Sequence, residues 1–424
     1  MKPLSSVICL LLVLLAPCAK SAGMAKRNEL AATLRSALAK EDLAAVRAAV
    51  AAERRALGEK AGVPEVGDKH VAIPKSGRWL TPAEAQVGFT PQFAQLERLI
   101  WWRVGLDPAK LAQPLRAPAS VLSGCVAVCR AKLDGAERSL AIAKDAAEFL
   151  MWAQAQAGSG VYPFPAARGT SSARAMAVAA GFLDRAEKAG KLDQVVRNGW
   201  AVDDLGDGGL QFDNGECGVA MFGLYELTRD ARHLSSARKS ADWAASRPLC
   251  SNWNYNSFSV YLLAKAFQVT GEKRYLEAAR KKALIGVIPG QLTDGPHAGR
   301  WLDAHNARPA YHYIMLRALG QLASAMPEDD TGRAEVLRAL TSGLRTRNQE
   351  IVTQGLMNKD KAIEALLLVS RWFSGEKSLL QTSITVEALE AAGRLVSEES
   401  RRGQGPLGPG EWGLFLEAVK MKSP

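Results

Sequence analysis

The stretch from Trp301 to Leu319 gathers side chains that can do acid–base chemistry and are scarce elsewhere in the chain. Two of the five histidines, His305 and His312, lie in it, and a third, His297, lies just upstream. The same stretch also carries Asp303, Asn306, Arg308, Tyr311 and Tyr313. A polar loop that leads into an apolar helix often presents reactive groups at the edge of a cavity. The alternative is an ordinary helix start with polar caps.

The spacing within this stretch predicts that several of its side chains share one helix face. A helix that begins near Asn306 places His305, Arg308 and His312 three and four residues apart, so we expect them to converge. Tyr311 lies on the adjacent flank. Pro309 suits the first turn of a helix, where its missing N–H costs nothing.

A second polar stretch, Cys250 to Ser257, is rich in asparagine and aromatic residues. It contains Trp253, Asn254, Tyr255 and Asn256. Aromatic rings can stack on sugar rings, and the asparagine amide both donates and accepts hydrogen bonds to hydroxyl or carboxylate groups. Packing in the core explains Trp253 equally well.

Two further stretches supply a tyrosine and a group of acidic residues. Val161 to Ser172 contains Tyr162, and the acidic stretch contains Asp203, Asp204, Asp207, Asp213 and Glu216. The acidic stretch lacks the ligand spacing of an EF-hand, so a structural Ca²⁺ is an open alternative without a motif to support it. We predict no cofactor and no catalytic metal.

An internal repeat relates these stretches to one another. Moving Phe212–Leu234 forward by forty-two positions aligns Asn214 with Asn256, and the same pattern recurs around Asn306 and Asn358. Moving it backward by the same amount reaches Ser172. Each unit consists of an apolar helix, a turn and a more charged helix, so the units must stack to bury the apolar helix.

The repeat predicts an all-α fold of helical hairpins with concentric inner and outer helices. Inner helices are expected near residues 119–130, 171–186, 216–228, 257–270, 307–320, 359–372 and 411–420. The fold class is therefore an (α/α)6 or (α/α)7 toroid, with an open solenoid as the alternative. In a toroid the N-terminal ends of the inner helices meet at one rim. The recurring asparagines would surround a cavity there, or would only cap their helices.

The N-terminal part of the chain differs in composition from the repeats. Residues 1–21 are typical of a signal peptide, with basic Lys2, an apolar core and a small-residue site at Ala19 to Ser21. Lipid attachment at Cys18 is less favoured, because Pro17 precedes it. We expect residues 22–80 to form a helical arm and linker and residues 81–424 to form the toroid. The protein would be periplasmic or secreted, without stable membrane insertion.

The net charge favours an acidic partner. The chain has 54 Lys and Arg against 43 Asp and Glu, a formal net charge of +11 at pH 7. Long-range attraction suits such a protein to a polyanion. Nucleic acid is disfavoured, since there is no basic stripe interleaved with aromatics and no zinc-finger spacing. We expect a monomer that acts on an acidic polysaccharide.

Four cysteines lie beyond the signal peptide. An even number in an exported protein suggests disulfides, and our preferred pair is Cys217 with Cys250. Cys125 and Cys129 are four residues apart on a predicted helix, near the upper limit of disulfide reach.

The segment Ala153 to Gly169, AQAQAGSGVYPFPAARG, resembles the helix-to-loop junctions of the toroidal pectate lyases. The combination of Asn, His, Arg and Tyr is similar to the sites of toroidal polysaccharide lyases of the alginate- and glucuronan-lyase kind. The resemblance covers at most residues 135–400. This sequence does not contain the Asn-Asn-His run typical of alginate lyases. The nearest matches are Asn254-Tyr255-Asn256 and His305-Asn306.

This resemblance implies β-elimination at a uronic acid. The proton at C5 is weakly acidic, so a donor must first stabilise charge on the neighbouring carboxylate, and an acid must protonate the departing oxygen. The implied roles are a neutraliser, Asn256 or Asn214; a base, His305 or His312; an acid, Tyr255 or Tyr311; and a carboxylate clamp, Arg308. Substrate contacts are expected from Asn254, Trp253, Asn306, Asp213 and Tyr162.

Two other functions remain open. A glycoside hydrolase on the same scaffold needs two carboxylates across the scissile bond, for which Asp213 and Asp303 are available, with Glu216 in reserve. A glycan-binding protein without catalytic activity needs neither pair.

Overall fold

A computed structural model describes residues 19–65, 67, 69–90, 92–98, 115–165, 174–192, 196–197, 201–202, 208–374, 383–404 and 407–422. These residues form a largely helical protein, as the sequence predicts. The helices are, in chain order, α1 (Ala19–Ala39), α2 (Leu43–Leu57), α3 (Pro82–Phe89), α4 (Gln92–Arg98), α5 (Arg116–Arg130), α6 (Ala136–Ala157), α7 (Arg174–Lys188), α8 (Gln211–Thr228), α9 (Ala231–Ser246), α10 (Trp253–Thr270), α11 (Lys273–Gly286), α12 (Pro309–Ala325), α13 (Arg333–Gln354), α14 (Lys359–Trp372), α15 (Ser383–Arg401) and α16 (Pro409–Lys422).

Six of these helices form a closed inner ring. Helix α5 packs on α8, α8 on α10, α10 on α12, α12 on α14, α14 on α16, and α16 returns to α5. Helices α6, α9, α11, α13 and α15 each follow an inner helix and pack outside the ring, and α3 packs against α16. The fold is therefore an (α/α)6 toroid. The predicted toroid is confirmed, and closure of the ring excludes the open solenoid.

The prediction of an inner helix near residues 171–186 was wrong, whereas the one near residues 411–420 is in the ring as α16. Helix α7 occupies the first of these regions but packs against a small antiparallel sheet formed by β1 (Phe164–Pro165), β2 (Val196–Arg197) and β3 (Ala201–Val202). Its strand order is β1-β3-β2. An amphipathic helix needs only one apolar neighbour, so a helical pattern does not place it in the ring. Ser172 lies outside the described residues.

The difference between inner and outer helices follows from their sequences. Helix α10 is apolar or small on most of its faces and is buried at twelve of the fourteen positions from Trp253 to Ala266, whereas α11 alternates buried positions such as Ala279 with exposed basic ones. A helix that is apolar on most sides is covered by neighbours on most sides. Each outer helix needs only its apolar stripe covered, and the inner ring provides that contact.

Two glycines allow the first and last inner helices to close the ring. A Cβ atom on Gly124 of α5 would lie 2.1 Å from the carbonyl oxygen of Pro409, and one on Gly413 of α16 would lie 2.3 Å from the carbonyl oxygen of Gly124. Side chains larger than hydrogen at these positions would push the helices apart. Ring closure thus depends on a close backbone approach between residues almost 300 positions apart.

The N-terminal helices α1 and α2 pack on each other, and α2 contacts α11. The chain then hydrogen-bonds to the loop before α12: Gly62 donates its N–H to the carbonyl oxygen of Leu302 at 2.9 Å. Most of the predicted signal peptide, residues 1–18, lies outside the described residues, and the predicted cleavage site lies at the start of α1. None of the described helices is long and apolar enough to span a bilayer.

The predicted disulfide between Cys217 and Cys250 was wrong, because no bond joins their two sulfur atoms, and no bond joins those of Cys125 and Cys129. Cys217 is fully buried on α8, where its Sγ lies 3.6 Å from the carbonyl oxygen of Leu115. Cys250 lies in the loop before α10, with its Sγ 3.4 Å from the carbonyl oxygen of Asn252. Each sulfur therefore has local packing partners of its own.

Candidate active site

A cavity of about 390 Å³ lies along the axis of the inner ring, and we call it the central cavity. It is lined by both the first and the last residue of α5, Arg116 and Arg130. Fourteen helical steps separate them, so the cavity runs for about 20 Å along this helix. A partly enclosed space lined by apolar walls and a few converging polar groups is the usual form of a small-molecule site.

Three glutamates from three inner helices define what we call the acidic end of the central cavity: Glu216 of α8, Glu364 of α14 and Glu411 of α16. Two cations hold them in place. The guanidinium of Arg317 lies 2.6 Å from Glu216 Oε1 and 2.5 Å from Glu364 Oε1. The ammonium group of Lys361 lies 3.0 Å from Glu364 Oε2 and 2.7 Å from Glu411 Oε1.

Glu364 and Glu411 differ in acidity because they share the two cations unequally. Burial alone would raise the pKa of Glu364, but Arg317 and Lys361 together outweigh it and lower this pKa to about 2. Burial raises the pKa of Glu411, and among the described residues Lys361 is the cation paired with its carboxylate. Glu364 is therefore ionised, while Glu411 binds a proton more readily than Glu364. Carboxyl groups whose environments separate their pKa values are the usual acid and base of an enzyme.

The guanidinium group of Arg116 lies at the rim of the acidic end. Arg116 is the first residue of α5, its side chain is 43% exposed, and it lies 4.1 Å above the ring of Phe212. Its Nε is 3.1 Å from Oδ1 of Asp213, which is fully buried. Burial raises the pKa of Asp213, while Arg116 opposes that rise. Asp213 therefore orients Arg116, and it is Arg116 that faces the cavity.

Aromatic side chains line the wall below the glutamates. Tyr261 and Trp372 face the central cavity with their ring centres 6.5 Å apart. The guanidinium carbon of Arg317 lies 4.2 Å from the centre of the Tyr261 ring. Flat apolar faces beside carboxylates provide the stacking surface that a sugar ring uses.

The residues predicted before α12 are only partly brought together. His305 stacks on Tyr311 with ring centres 4.4 Å apart, and Arg308 lies 5.5 Å from the Tyr311 ring. All three side chains are half-buried. None of them is among the residues that line the central cavity. Their catalytic roles stay predictions.

The expected convergence of His312 with His305 and Arg308 was wrong. His312 is fully buried and turns toward the outer helix α13, where its Nε2 lies 3.1 Å from the carbonyl oxygen of Gly343. Its ring packs edge-on against that of Trp301, with the ring centres 5.1 Å apart. Burial strongly lowers the pKa of His312, so the imidazole is neutral. His312 lies one helical turn beyond Arg308, deep enough in α12 for its side chain to contact the adjacent helix α13 instead of the rim.

The recurring asparagines tie neighbouring hairpins together. Asn214 accepts a hydrogen bond from the Tyr162 N–H and donates one to the Ser240 carbonyl. Asn256 donates in the same way to the Gly286 carbonyl. These side chains are fully buried, and each bond links the start of an inner helix to another segment of the ring. The bonds explain the repeated asparagine without any substrate.

The third asparagine of the repeat links two loops. Asn306 accepts from both the N–H and the side-chain amide of Asn254, and it donates to the Asp303 carboxylate at 3.0 Å. Asp303 is thus engaged in the loop before α12 and does not line the central cavity. The alternative carboxylate pair, Asp213 with Asp303, is accordingly not brought to that cavity.

The remaining predicted residues lie in or near the core. Trp253 is buried against Gly290, where an added Cβ would lie 2.5 Å from the indole ring. Tyr162 is fully buried with its hydroxyl 2.7 Å from Ser236 Oγ, and Tyr255 is half-buried and is not part of the cavity lining. Asp203, Asp204 and Asp207 lie outside the described residues. Among the described residues no cluster of three His, Cys, Asp or Glu side chains could hold a metal ion.

The sequence reasoning missed four of the five charged groups at the acidic end: Arg317, Lys361, Glu364 and Glu411. A signal was present for Arg317, because it interrupts a helix that is otherwise apolar on most faces. Buried charges are rare unless they are paired, and perturbed ionisable groups concentrate at functional sites. A charge inside an inner helix was therefore a better indicator than a polar residue at its start.

Comparison with known proteins adds three distant structures. No protein-family model and no curated protein matches the chain. A family 88 glycosyl hydrolase from Bacteroides vulgatus is similar at 14% identity and a TM-score of 0.49, covering 80% of this chain and 98% of its own. A polysaccharide lyase is similar at 14% identity and 0.48, over 80% and 96%. A sugar epimerase from a ruminal bacterium reaches 9% and 0.49, over 81% and 99%. At TM-scores below 0.5 these similarities carry no argument, and the toroid rests on the closed ring itself.

Proposed function

We propose that the protein is a carbohydrate-active enzyme that hydrolyses a glycosidic bond of an acidic saccharide in the central cavity. The observation that carries the proposal is the set of three glutamates with unequal cation partners at one end of that cavity. Hydrolysis of a glycoside needs one carboxyl group that is protonated and another that is ionised. No histidine is among the residues that line the central cavity, which favours carboxylate chemistry there over histidine-based elimination.

The three glutamates differ in the work that each can do. Glu411 donates its proton to the departing glycosidic oxygen, since its environment favours the protonated form. Glu216, bound by one guanidinium, supplies the carboxylate that stabilises positive charge on the sugar ring. A water molecule then adds to the anomeric carbon, and its proton restores the protonated form of Glu411. Glu364 is bound by both cations and keeps Arg317 and Lys361 in position.

The cations explain why the substrate would be acidic. Arg116 is partly exposed at the rim, and its guanidinium can bind a uronate carboxylate in a bidentate manner. The overall charge of +11 would attract such a substrate from solution. A neutral saccharide would leave Arg116 without this partner.

The experiment supplies alginate, glucuronan, pectate and hyaluronan oligosaccharides to the purified protein. New reducing ends without an ultraviolet-absorbing product are expected. Glu411→Gln and Glu216→Gln should each lower kcat by about 10²–10⁴-fold, the usual contribution of a general acid or of an electrostatic stabiliser. Glu390→Gln on the exposed side of α15 is the matched control and should keep full activity. Unchanged turnover by Glu411→Gln would refute the assignment.

A second candidate is β-elimination at the half-buried cluster of His305, Arg308 and Tyr311. The stacking of His305 on Tyr311 favours it, because it places a base and an acid within one small cluster. Arg308 would neutralise the uronate carboxylate. This candidate predicts an absorbance rise during turnover that His305→Ala and Tyr311→Phe abolish and Glu411→Gln does not. Binding of the same oligosaccharides without any turnover would instead indicate a glycan-binding protein.

A further inference from the structure

The central cavity continues past the glutamates to the C-terminal ends of the inner helices. Three cations from three helices line it there, and we call this region the basic end: Arg130 of α5, Lys265 of α10 and Arg371 of α14. Glu417 lies 3.1 Å from both guanidinium groups, and Glu226 lies 2.7 Å from the Lys265 ammonium group. Among the residues that the structure describes, three positive charges thus face two carboxylates.

Arg130 and Arg371 lie in the last turns of their helices, and this position has an ordinary explanation, since the helix dipole favours positive charge there; Lys265 lies further inside α10. That effect does not require the side chains to turn into a cavity. Lys265 keeps only 17% of its side chain exposed, and burial lowers its pKa. Burial also lowers the pKa of Arg371, and the neighbouring Arg130 adds to this effect. Burial makes these positive charges costly, and there is one more cation than carboxylate. An anionic ligand would therefore stabilise the cluster.

The basic end and the acidic end belong to the same cavity, so one elongated molecule could reach both. Seven helical steps separate Glu364 from Arg371 on α14, which places their backbones about 10 Å apart. Trp372 and Tyr261 line the wall of the same cavity. An apolar wall between a reactive end and a cationic end suits a short saccharide with an anionic group at one end.

We propose that the basic end binds an anionic group, a sulfate or a carboxylate, on the part of the saccharide away from the bond that is cleaved. This inference rests on the proposed function for the identity of the ligand as a saccharide. Arg130 and Arg371 offer guanidinium forks and Lys265 an ammonium group, a combination that binds oxyanions strongly. The basic end would therefore select short acidic chains over neutral ones.

The test measures binding to the full-length protein by titration calorimetry at constant ionic strength. The probes are inorganic sulfate, D-glucuronate and, as the neutral comparison, D-glucose. Sulfate or glucuronate should bind, and Arg371→Gln and Lys265→Gln should each weaken this binding by about tenfold or more, as expected when a charged hydrogen bond is lost. The probe that binds identifies the anion as sulfate-like or carboxylate-like. Binding of glucose as tight as that of either anion would overturn the proposal.

Three further variants make the result specific. Arg402→Gln, on a residue whose side chain is 62% exposed, is the matched control and should bind like the wild type. Arg371→Lys retains the charge and covers the case in which Arg371→Gln does not fold. Arg116→Gln separates the two ends of the cavity with the sulfate probe: sulfate binding that Arg116→Gln loses and Arg371→Gln retains would place the anion at the other end and refute the proposal.

The binding measurement does not depend on turnover. If Glu411→Gln kept full activity while Arg371→Gln lost the anion, the proposed hydrolysis would fail and the anion site would stand. If Glu411→Gln were inactive while every variant bound the anion equally, the hydrolysis would stand and the basic end would not be a site.

Discussion

At the scale of single residues, buried polar side chains in this protein divide into those that hold the ring together and those that face the central cavity. Asn214, Asn256 and Asn306 belong to the first group, because their amide groups bond to buried backbone and side-chain atoms of neighbouring segments. Glu364 and Glu411 belong to the second, because they line the cavity. Substitutions in the two groups should therefore affect different properties.

For the first group we predict a loss of stability. Asn214→Ala would leave the Tyr162 N–H and the Ser240 carbonyl without their partner, at a cost of about 2–3 kcal/mol. Urea unfolding of the purified variant measures this change. Asn28→Ala on the exposed face of α1 is the control and should be neutral. An inactive Asn214→Ala variant of unchanged stability would support the role of neutraliser instead.

The buried histidine makes a separate prediction about pH. His312 has a folded-state pKa well below its ordinary value near 6.5, so the unfolded chain binds the proton more readily. Its contribution to stability is complete above about pH 6.5 and is lost as the pH falls below it, by at most about 1.4 kcal/mol per pH unit. Urea unfolding at pH 7, 6 and 5 should show a steeper decline in the wild type than in His312→Gln.

The exposed His70 provides the control for this experiment. His70→Gln should match the wild type in both stability and its pH dependence. An equally steep decline in His312→Gln would mean that other groups cause the acid sensitivity.

At the scale of elements, the contact between α5 and α16 is the most sensitive part of the ring. Gly124→Ala places a methyl group 2.1 Å from the carbonyl oxygen of Pro409. Residue 124 and Pro409 belong to the backbones of α5 and α16, so relieving the clash requires the two helices to move apart. We expect a loss of about 2–3 kcal/mol from overpacking and a lower Tm. Thermal unfolding followed by circular dichroism provides the measurement.

A helical glycine elsewhere in the ring supplies the control. Gly223 of α8 has only Val126 Cγ1 near its Cβ position, at 3.8 Å, which is an ordinary contact. Gly223→Ala should therefore raise stability by up to about 1 kcal/mol, because alanine favours the helix. Equal effects of the two substitutions would show that the α5–α16 seam tolerates separation.

At the scale of the whole molecule, the excess of positive charge should act on encounters with substrate. With a net charge of +11, association with an acidic oligosaccharide is electrostatically assisted, and salt screens this attraction. Raising NaCl from about 20 mM to about 500 mM should lower kcat/KM by about tenfold, mainly through KM. A neutral oligosaccharide of equal length should show little change, and a similar decline for both would indicate a general effect of salt on the enzyme.

Much of the fold was predictable because its signals are local or repeated. The apolar periodicity indicated helices throughout, and the spacing of forty-two residues between Asn214 and Asn256 indicated stacked hairpins. The prediction of an inner helix near residues 171–186 failed at α7, because an amphipathic sequence pattern does not say which neighbour covers the apolar face. The predicted disulfide failed because an even number of cysteines contains no information on distance.

The candidate site was less predictable. Sequence alone determined that the protein is all-α, basic and built from hairpins with a polar rim, since composition and periodicity are properties of the chain itself. Only the tertiary structure decided that Glu216, Glu364 and Glu411 share one cavity while His312 faces an outer helix. Successive helical residues differ by about 100° in direction, so a small rotation of each helix decides which side chains face the axis. That rotation is set by packing between residues distant in sequence, including the contact of Gly124 with Gly413 that closes the ring.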